Sequence, residues 1–151
     1  MIVKNYIEKN NLPIDFNVYA TDISSPVLKY ANTGIYDKHR IKTQISEKFQ
    51  AEYFEDFDTA KSIIKPELKK HLHFEFNSLV NGWYLNNYNI IICRNVFIYF
   101  NHTLQNQILD NFIYSLKSGG MLCLGKSENI NAKYNYIFDK INLKLKLFTK
   151  K

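Results

Sequence analysis

Polar side chains follow directly on a run of residues that is typical of a buried strand. The apolar run Ile90–Ile92 leads, through one cysteine, into Arg94 and Asn95. An arginine and an asparagine at the end of a strand are not needed for packing of a core. Ligand crevices of open α/β sheets, however, lie at the carboxyl ends of strands, where such polar groups can bind a ligand. Arg94 could hold a carboxylate through two parallel hydrogen bonds, and Tyr99 could bring its hydroxyl near a reacting group. The alternative is an arginine paired with a neighbouring acid and a tyrosine of the core.

Two more polar residues follow other strand patterns. Asp22 comes after Phe16–Ala20, and an acid at such a strand end accepts hydrogen bonds from ribose hydroxyls in nucleotide-binding folds. A carboxylate suits this role because it only accepts and can serve two donors at once. Asn77 comes after Leu72–Phe76, and its amide could read an adenine edge or hold a loop. The plain alternatives are that Asp22 caps the next helix and that Asn77 is an ordinary turn residue.

The other reactive residue types give weaker signals. Glu128 follows a strand pattern and a glycine, and it could anchor Arg94 or a loop. The glycine spacing of a phosphate-binding Walker loop is absent there. His71 and His73 lack a third ligand, so we predict no metal site. The two cysteines have no adjacent base and are predicted to be buried thiols.

The elements that must position these residues alternate between strand and helix. Strands of continuously apolar character separated by helices predict a mostly parallel α/β sheet. The alternating leucines near the end of the chain predict an antiparallel edge strand. The predicted helices are 2–9, 27–32 (capped by Ser25-Pro26 and ended by Gly34), 46–54, 66–70 and 103–117 (ended by Gly119-Gly120). The predicted strands are 16–20, 62–64, 72–76, 89–93, 121–124 and 141–148.

Composition narrows the class of protein. A chain of 151 residues, 46% of them hydrophobic, suits one domain with a sizeable core. No apolar run approaches the ~20 residues of a membrane span, and the first residues do not resemble a secretory signal. Two cysteines in such a chain indicate a reducing cytoplasm. The net charge of +6 comes from scattered lysines without a stripe of stacking aromatics, so we predict no nucleic-acid partner.

Four ordered segments resemble one family, the CheR-type chemotaxis receptor methyltransferases. The likeness covers about residues 16–148, and four motifs in order are far more specific than any one of them. The segments are Tyr19–Ser24 with Leu28–Tyr36, then Phe74–Leu79, Cys93–Phe100 and Leu116–Glu128. The third of them, Cys93–Phe100, is nearly identical to the signature motif of the family.

The resemblance implies a class I methyltransferase fold with a Rossmann-like sheet. Its cofactor would be S-adenosylmethionine, its product S-adenosylhomocysteine, and its substrates glutamate side chains in the cytoplasmic region of chemotaxis receptors. Residues 35–70 would form a small inserted subdomain, which in some members docks onto the receptor tail.

The resemblance also implies roles for single residues. Asp22 would bind the ribose, and Asn77 with Ser78 would lie at the adenine region, although Ser78 stands where the family has leucine. Arg94 and Asn95 would shape the floor of the cofactor site. Tyr99 would lie near the transferred methyl group and would form, with Arg94, the catalytic pair.

One part of the family pattern has no counterpart here. Nothing in residues 1–15 resembles the glycine-rich cofactor loop, so the sequence predicts a partial domain over residues 1–151 that lacks this loop and the first strand. That strand lies in the middle of the family's sheet, and its loss would leave unpaired backbone groups that favour self-association. Two functions stay open: a methyltransferase domain that is a fragment or receives its missing half from another chain, and a non-catalytic module that docks onto receptors.

Overall fold

The computed structural model describes residues 1–151, which divide into two units, residues 1–78 and 79–151. Both units contain strands and helices, so the predicted α/β class is confirmed. The prediction of a mostly parallel sheet was wrong, because four of the six strand pairs are antiparallel. None of the helices combines the length and the apolar character that crossing a membrane requires. Along the first unit the elements are α1 (Ile2–Lys9), β1 (Val18–Asp22), α2 (Ser25–Thr33), β2 (Ile35–Asp37), α3 (Lys38–Gln44), α4 (Glu47–Tyr53), β3 (Phe54–Asp56), β4 (Lys61–Ile64), α5 (Pro66–Lys69) and β5 (Leu72–Phe76).

A parallel pair of strands positions the polar residues of the first unit. β1 and β5 run side by side, with Val18 opposite Leu72 and Asp22 opposite Phe76, and α2 packs against both strands. The predicted strand 16–20 was displaced by two residues at both ends, since the pairing with β5 begins at Val18 and includes Asp22. The residue that caps α2 is Ser24 instead of Ser25.

The end of α2 agrees with its prediction. Gly34 terminates the helix with φ of 71°, a left-handed conformation that glycine adopts without a steric penalty. The chain then enters a three-stranded antiparallel sheet in the order β2-β4-β3. This sheet shares a small core with helices α3, α4 and α5, formed by Ile41, Tyr53, Phe54 and Leu68. An inserted subdomain over residues 35–70 stays a prediction.

The second unit is built on a four-stranded sheet. Its elements are β6 (Tyr88–Cys93), α6 (His102–Ser115), β7 (Leu116–Leu124), β8 (Phe138–Asn142) and β9 (Leu147–Lys150), with single 3₁₀ turns at Phe97–Tyr99 and Ala132–Tyr134. The strand order is β6-β7-β9-β8. β6 and β7 are parallel, whereas β9 runs antiparallel to both of its neighbours.

Helix α6 covers one face of this sheet. Its buried residues Ile108, Leu109 and Phe112 belong to the same core as Leu122 and Phe148 of the strands. We predicted a longer helix, ended by Gly119-Gly120, and this was wrong. The helix ends at Ser115, because Leu116 already begins β7 and pairs with Tyr88 of β6.

The end of the chain is a hairpin instead of the single strand predicted for residues 141–148. Leu143 and Leu145 lie in the connection between β8 and β9 and are 55% and 52% exposed. Their alternation with lysines therefore does not reflect a buried and a wet face of a strand. An antiparallel edge strand does exist, but β8 forms it.

Candidate functional site

The carboxyl ends of β1 and β5 bring Asp22 and Asn77 together. The backbone N–H of Asn77 donates to the carbonyl oxygen of Asp22 at 3.2 Å, because the parallel register places Asp22 opposite Phe76. Asp22 is half-buried. Its Oδ1 accepts from the N–H of Ser24 at 2.8 Å, which leaves Oδ2 for a donor from a ligand. Asp22 therefore holds the turn into α2, and this turn uses only one of its two carboxylate oxygens.

The segment after β5 continues this polar edge. The side-chain oxygen of Asn77 accepts from the backbone N–H of Ser78 at 2.9 Å, so the amide also holds its own turn. Both residues are half-buried. Asp22 and Asn77 therefore each stabilise the turn that follows their own strand.

A second polar group follows β6 in the second unit. The buried Cys93 ends the strand, and Arg94 and Asn95 after it are exposed. Asn95 has φ of 59°, the left-handed region that asparagine enters more readily than most residues. The strand therefore ends in a sharp turn that presents an arginine and an asparagine to solvent.

The carboxylate of Glu128 holds this turn. The side chain is 4% exposed, and its Oε1 accepts from the backbone N–H groups of Val96 and Phe97, both at 2.7 Å. Its Oε2 accepts from those of Asn95 at 2.9 Å and Gly125 at 2.5 Å. Burial opposes ionisation, but the four N–H donors together lower the pKa of Glu128 below its ordinary value.

Gly125 makes this arrangement possible because its backbone lies against the turn. A Cβ atom at this position would lie 2.5 Å from Oδ1 of Asn95 and 2.6 Å from Oε2 of Glu128. The glycine is therefore required for the close approach of the two loops. From the sequence, Glu128 was predicted to anchor either Arg94 or a loop. In the structure it binds backbone N–H groups of the loops.

Tyr99 lies in the 3₁₀ turn Phe97–Tyr99 and is 79% exposed. The alternative of a core tyrosine is therefore wrong. The buried aromatic of this turn is Phe97, which stacks on Phe112 with ring centroids 6.2 Å apart. The turn thus has one residue in the core and one that faces solvent.

The two cysteines are free thiols, with Cys93 buried. Burial, with a smaller contribution from the charge of Glu128, raises the pKa of Cys93 to about 12. A thiol in this state is a poor nucleophile, since the thiolate is the reactive form. Cys93 is accordingly a core residue next to the turn.

The predicted site residues thus fall into two groups. Asp22, Asn77 and Ser78 meet at the edge of the first unit, and Arg94, Asn95 and Tyr99 follow β6 in the second unit. Gly125 was noted in the sequence only as the glycine that precedes Glu128, and Glu128 was not counted among the site residues. The available signal was a glycine followed three residues later by an acid, directly after a buried strand.

Comparison with known proteins identifies the family. A family model described as the SAM-binding domain of CheR methyltransferases matches residues 1–147. A chemotaxis protein methyltransferase of Vibrio parahaemolyticus is 31% identical over 130 residues, which are 85% of this chain and 47% of that protein. One from Borreliella burgdorferi is 32% identical over 137 residues, 89% of this chain and 48% of its own length.

A probable chemotaxis protein methyltransferase of Rhizobium etli is 29% identical over 141 residues, 91% of this chain and 52% of that protein. The chain spans about half the length of the curated relatives it matches. The family's cofactor is S-adenosylmethionine, abbreviated SAM in the description of the matching domain. With strand-end polar groups in both units and this match over nearly its whole length, the chain belongs to the CheR methyltransferase family, in its SAM-binding domain.

Proposed function

We propose that this chain forms part of a methyltransferase that transfers a methyl group from S-adenosylmethionine to glutamate side chains of chemotaxis receptors. The observation that carries the proposal is the meeting of Asp22 and Asn77 at the carboxyl ends of two parallel strands, in a chain of a SAM-binding family. Ligands of open α/β sheets bind at such strand ends.

The residues present fit a nucleoside. Asp22 Oδ2 is a charged acceptor beside a turn that uses only Oδ1, and it would accept from the ribose hydroxyls. Asn77 and Ser78 would hold the adenine region. Arg94 and Asn95, exposed on the turn after β6, would form the floor of the cofactor site.

The proposed reaction demands positioning more than proton transfer. S-adenosylmethionine, when bound, supplies an electrophilic methyl group. The receptor glutamate, with an ordinary pKa of ~4.3, is already an anion at neutral pH and needs no general base. Orientation of the two reactants can supply ~7–11 kcal/mol. Arg94 would orient a carboxylate through its guanidinium, and Tyr99 would lie near the transferred methyl group.

Calorimetric titration of the chain with S-adenosylhomocysteine tests the proposal. We expect binding in the micromolar range, and addition of S-adenosylmethionine should compete for the same site. Absence of binding at millimolar ligand would refute a cofactor site in this chain. Binding of a receptor peptide by a chain that does not bind S-adenosylhomocysteine would instead support the non-catalytic docking module.

A cytoplasmic location follows from the proposed substrate. The partner would be the cytoplasmic region of a chemotaxis receptor, and the two free cysteines suit a reducing compartment. Fractionation of cells that express the chain would check this, and recovery outside the cytoplasm would contradict it.

Self-association through an incomplete sheet stays a prediction. It is supported by β6, which is an edge strand of its sheet and exposes Ile90 by 46% and Ile92 by 71%. Unpaired edges with apolar side chains are templates for pairing with another chain. Sedimentation should show a mass that rises with concentration, and Ile92→Lys should reduce it. A monomeric mass at all concentrations would contradict this prediction.

A further inference from the structure

Four backbone N–H groups from two loops converge on one buried side chain, the carboxylate of Glu128. Three of the donors belong to the consecutive residues Asn95, Val96 and Phe97, and the fourth belongs to Gly125. None of these four bonds lies within a helix or a strand ladder. The conformation of the turn after β6 therefore depends on a side chain 31 to 33 residues further along the chain.

We infer that Glu128 is a positioning residue of the proposed cofactor site, which fixes the turn that presents Arg94 and Asn95. This inference rests on the proposed function for its consequence in binding. Its structural part rests only on the contacts of Glu128.

The turn after β6 requires hydrogen bonds that constrain it, because part of its backbone is in a sparsely populated conformation. Asn95 has φ of 59°, and residues held there persist only where the surroundings over-determine them. Arg94 and Asn95 are themselves exposed, so packing of their own side chains does not fix them. The hydrogen bonds that the N–H groups of Asn95, Val96 and Phe97 donate to Glu128 supply that constraint.

The chemistry of the contact requires a carboxylate. Two oxygens accept four hydrogen bonds, which an ionised glutamate can do with its lone pairs. Glutamine has the same shape but only one acceptor oxygen, and its amide group would place donors against two N–H donors. The Glu128→Gln variant therefore keeps the volume of the side chain and breaks the hold on the turn.

The turn is tested by amide NMR of the 151-residue chain. In the wild-type protein, the amide resonances of Asn95, Val96, Phe97 and Gly125 should shift together on acidification, with a midpoint below the ordinary pKa of glutamate. The titratable group of β6 that interacts with Glu128 is the Cys93 thiol, which stays neutral over this range. In Glu128→Gln the common transition should disappear and these amides should lose protection from hydrogen exchange. Retention of the transition or of the protection would overturn the inference.

The matched controls separate positioning from charge and from general destabilisation. Asp139→Asn removes one carboxylate from an exposed ion pair with Lys151 in the same unit and should leave the four amides unchanged. Ile108→Val loosens the core at a fully buried residue and leaves Glu128 and its four N–H donors chemically unchanged. Gly125→Ala keeps the Glu128 carboxylate, but its Cβ would clash with Glu128 and Asn95, so the four amides should lose protection from hydrogen exchange as they do in Glu128→Gln.

Cofactor affinity supplies the readout that a merely structural role would not move. We expect Glu128→Gln and Gly125→Ala to bind S-adenosylhomocysteine at least about tenfold more weakly than Ile108→Val under conditions where all three are folded. Equal affinities would overturn the positioning role. If the wild-type chain does not bind the ligand, the proposed function fails, and the amide experiment alone decides whether Glu128 fixes the turn.

Discussion

Substitution of Asp22 by asparagine separates the two roles that this residue can have. The asparagine side chain would keep an Oδ1 acceptor for the N–H of Ser24, which Asp22 now binds at 2.8 Å, and would replace Oδ2 by an amide donor. The fold should therefore keep its stability to within ~0.5 kcal/mol. Cofactor binding should lose a hydrogen bond to a charged acceptor, worth ~1.5–3 kcal/mol, which is a fall in affinity of about 10–150-fold.

The assay is calorimetric titration with S-adenosylhomocysteine, paired with urea unfolding of each variant. Asp22→Ala removes both oxygens and should lower both affinity and stability, the latter by ~0.5–1.5 kcal/mol. Asp15→Asn is the matched control, because Asp15 is 84% exposed in the same unit and accepts from the N–H of Phe16. Wild-type affinity in Asp22→Asn would refute the ribose role and leave Asp22 as a residue that caps a turn.

Other predictions concern the second unit. Tyr99→Phe should leave stability within ~0.5 kcal/mol, because Tyr99 is exposed, and should lower the rate of receptor methylation more than cofactor affinity; an equal loss in both would contradict the role near the methyl group. Phe148→Ala should lower the free energy of unfolding in urea by ~3–5 kcal/mol, because the ring is fully buried, and a loss under ~1 kcal/mol would argue against this packing. Iodoacetamide at pH 8 should modify Cys93 only on unfolding, because its pKa is raised to about 12; rapid alkylation of the native chain would be inconsistent with that. The pKa of Glu128 is lower in the folded than in the unfolded state. Its ionised form should therefore contribute fully to the free energy of unfolding above the unfolded pKa of ~4.3, and this contribution should be lost as the pH falls through the folded pKa. A Glu128→Gln variant that loses stability in acid to the same extent as the wild type would contradict this.

Elements with local signals could be predicted from the sequence. β5 was predicted at its observed bounds, since Leu72–Phe76 alternates and is followed by a turn residue. Gly34 correctly predicted the end of α2, because its left-handed conformation is a local preference of glycine. These signals come from residues that are neighbours along the chain.

Elements that depend on distant partners were predicted less well. The end of α6 was placed at Gly119-Gly120, but the helix stops at Ser115, where Lys150 Nζ donates to the carbonyl oxygens of Ile113 and Leu116 at 2.6 and 2.7 Å. No local pattern shows a lysine more than 30 residues away. The alternating leucines near the end of the chain led to the wrong prediction of a single strand for the same reason. The pairing of β8 with β9 decides which of these residues form the turn.

The site was predicted in the same uneven way. Asp22 and Asn77 could be found because each follows a strand pattern, and parallel strands end at the same edge of a sheet. The hydrogen bonds from the N–H groups of Asn95, Val96 and Phe97 to Glu128 could not be predicted in detail. It requires β6 and β7 to lie side by side before the carboxylate meets the turn.

The position of β9 has a consequence for the order of folding during synthesis. β9 is formed by Leu147–Lys150 but lies inside the sheet, between β7 and β8. Until these residues leave the ribosome, a nascent chain has β6 and β7 without the strand that pairs with β7 on its other side. The second unit should therefore reach its native state only after its last strand has left the ribosome. A nascent chain arrested before Leu147 should stay sensitive to protease throughout residues 79–146.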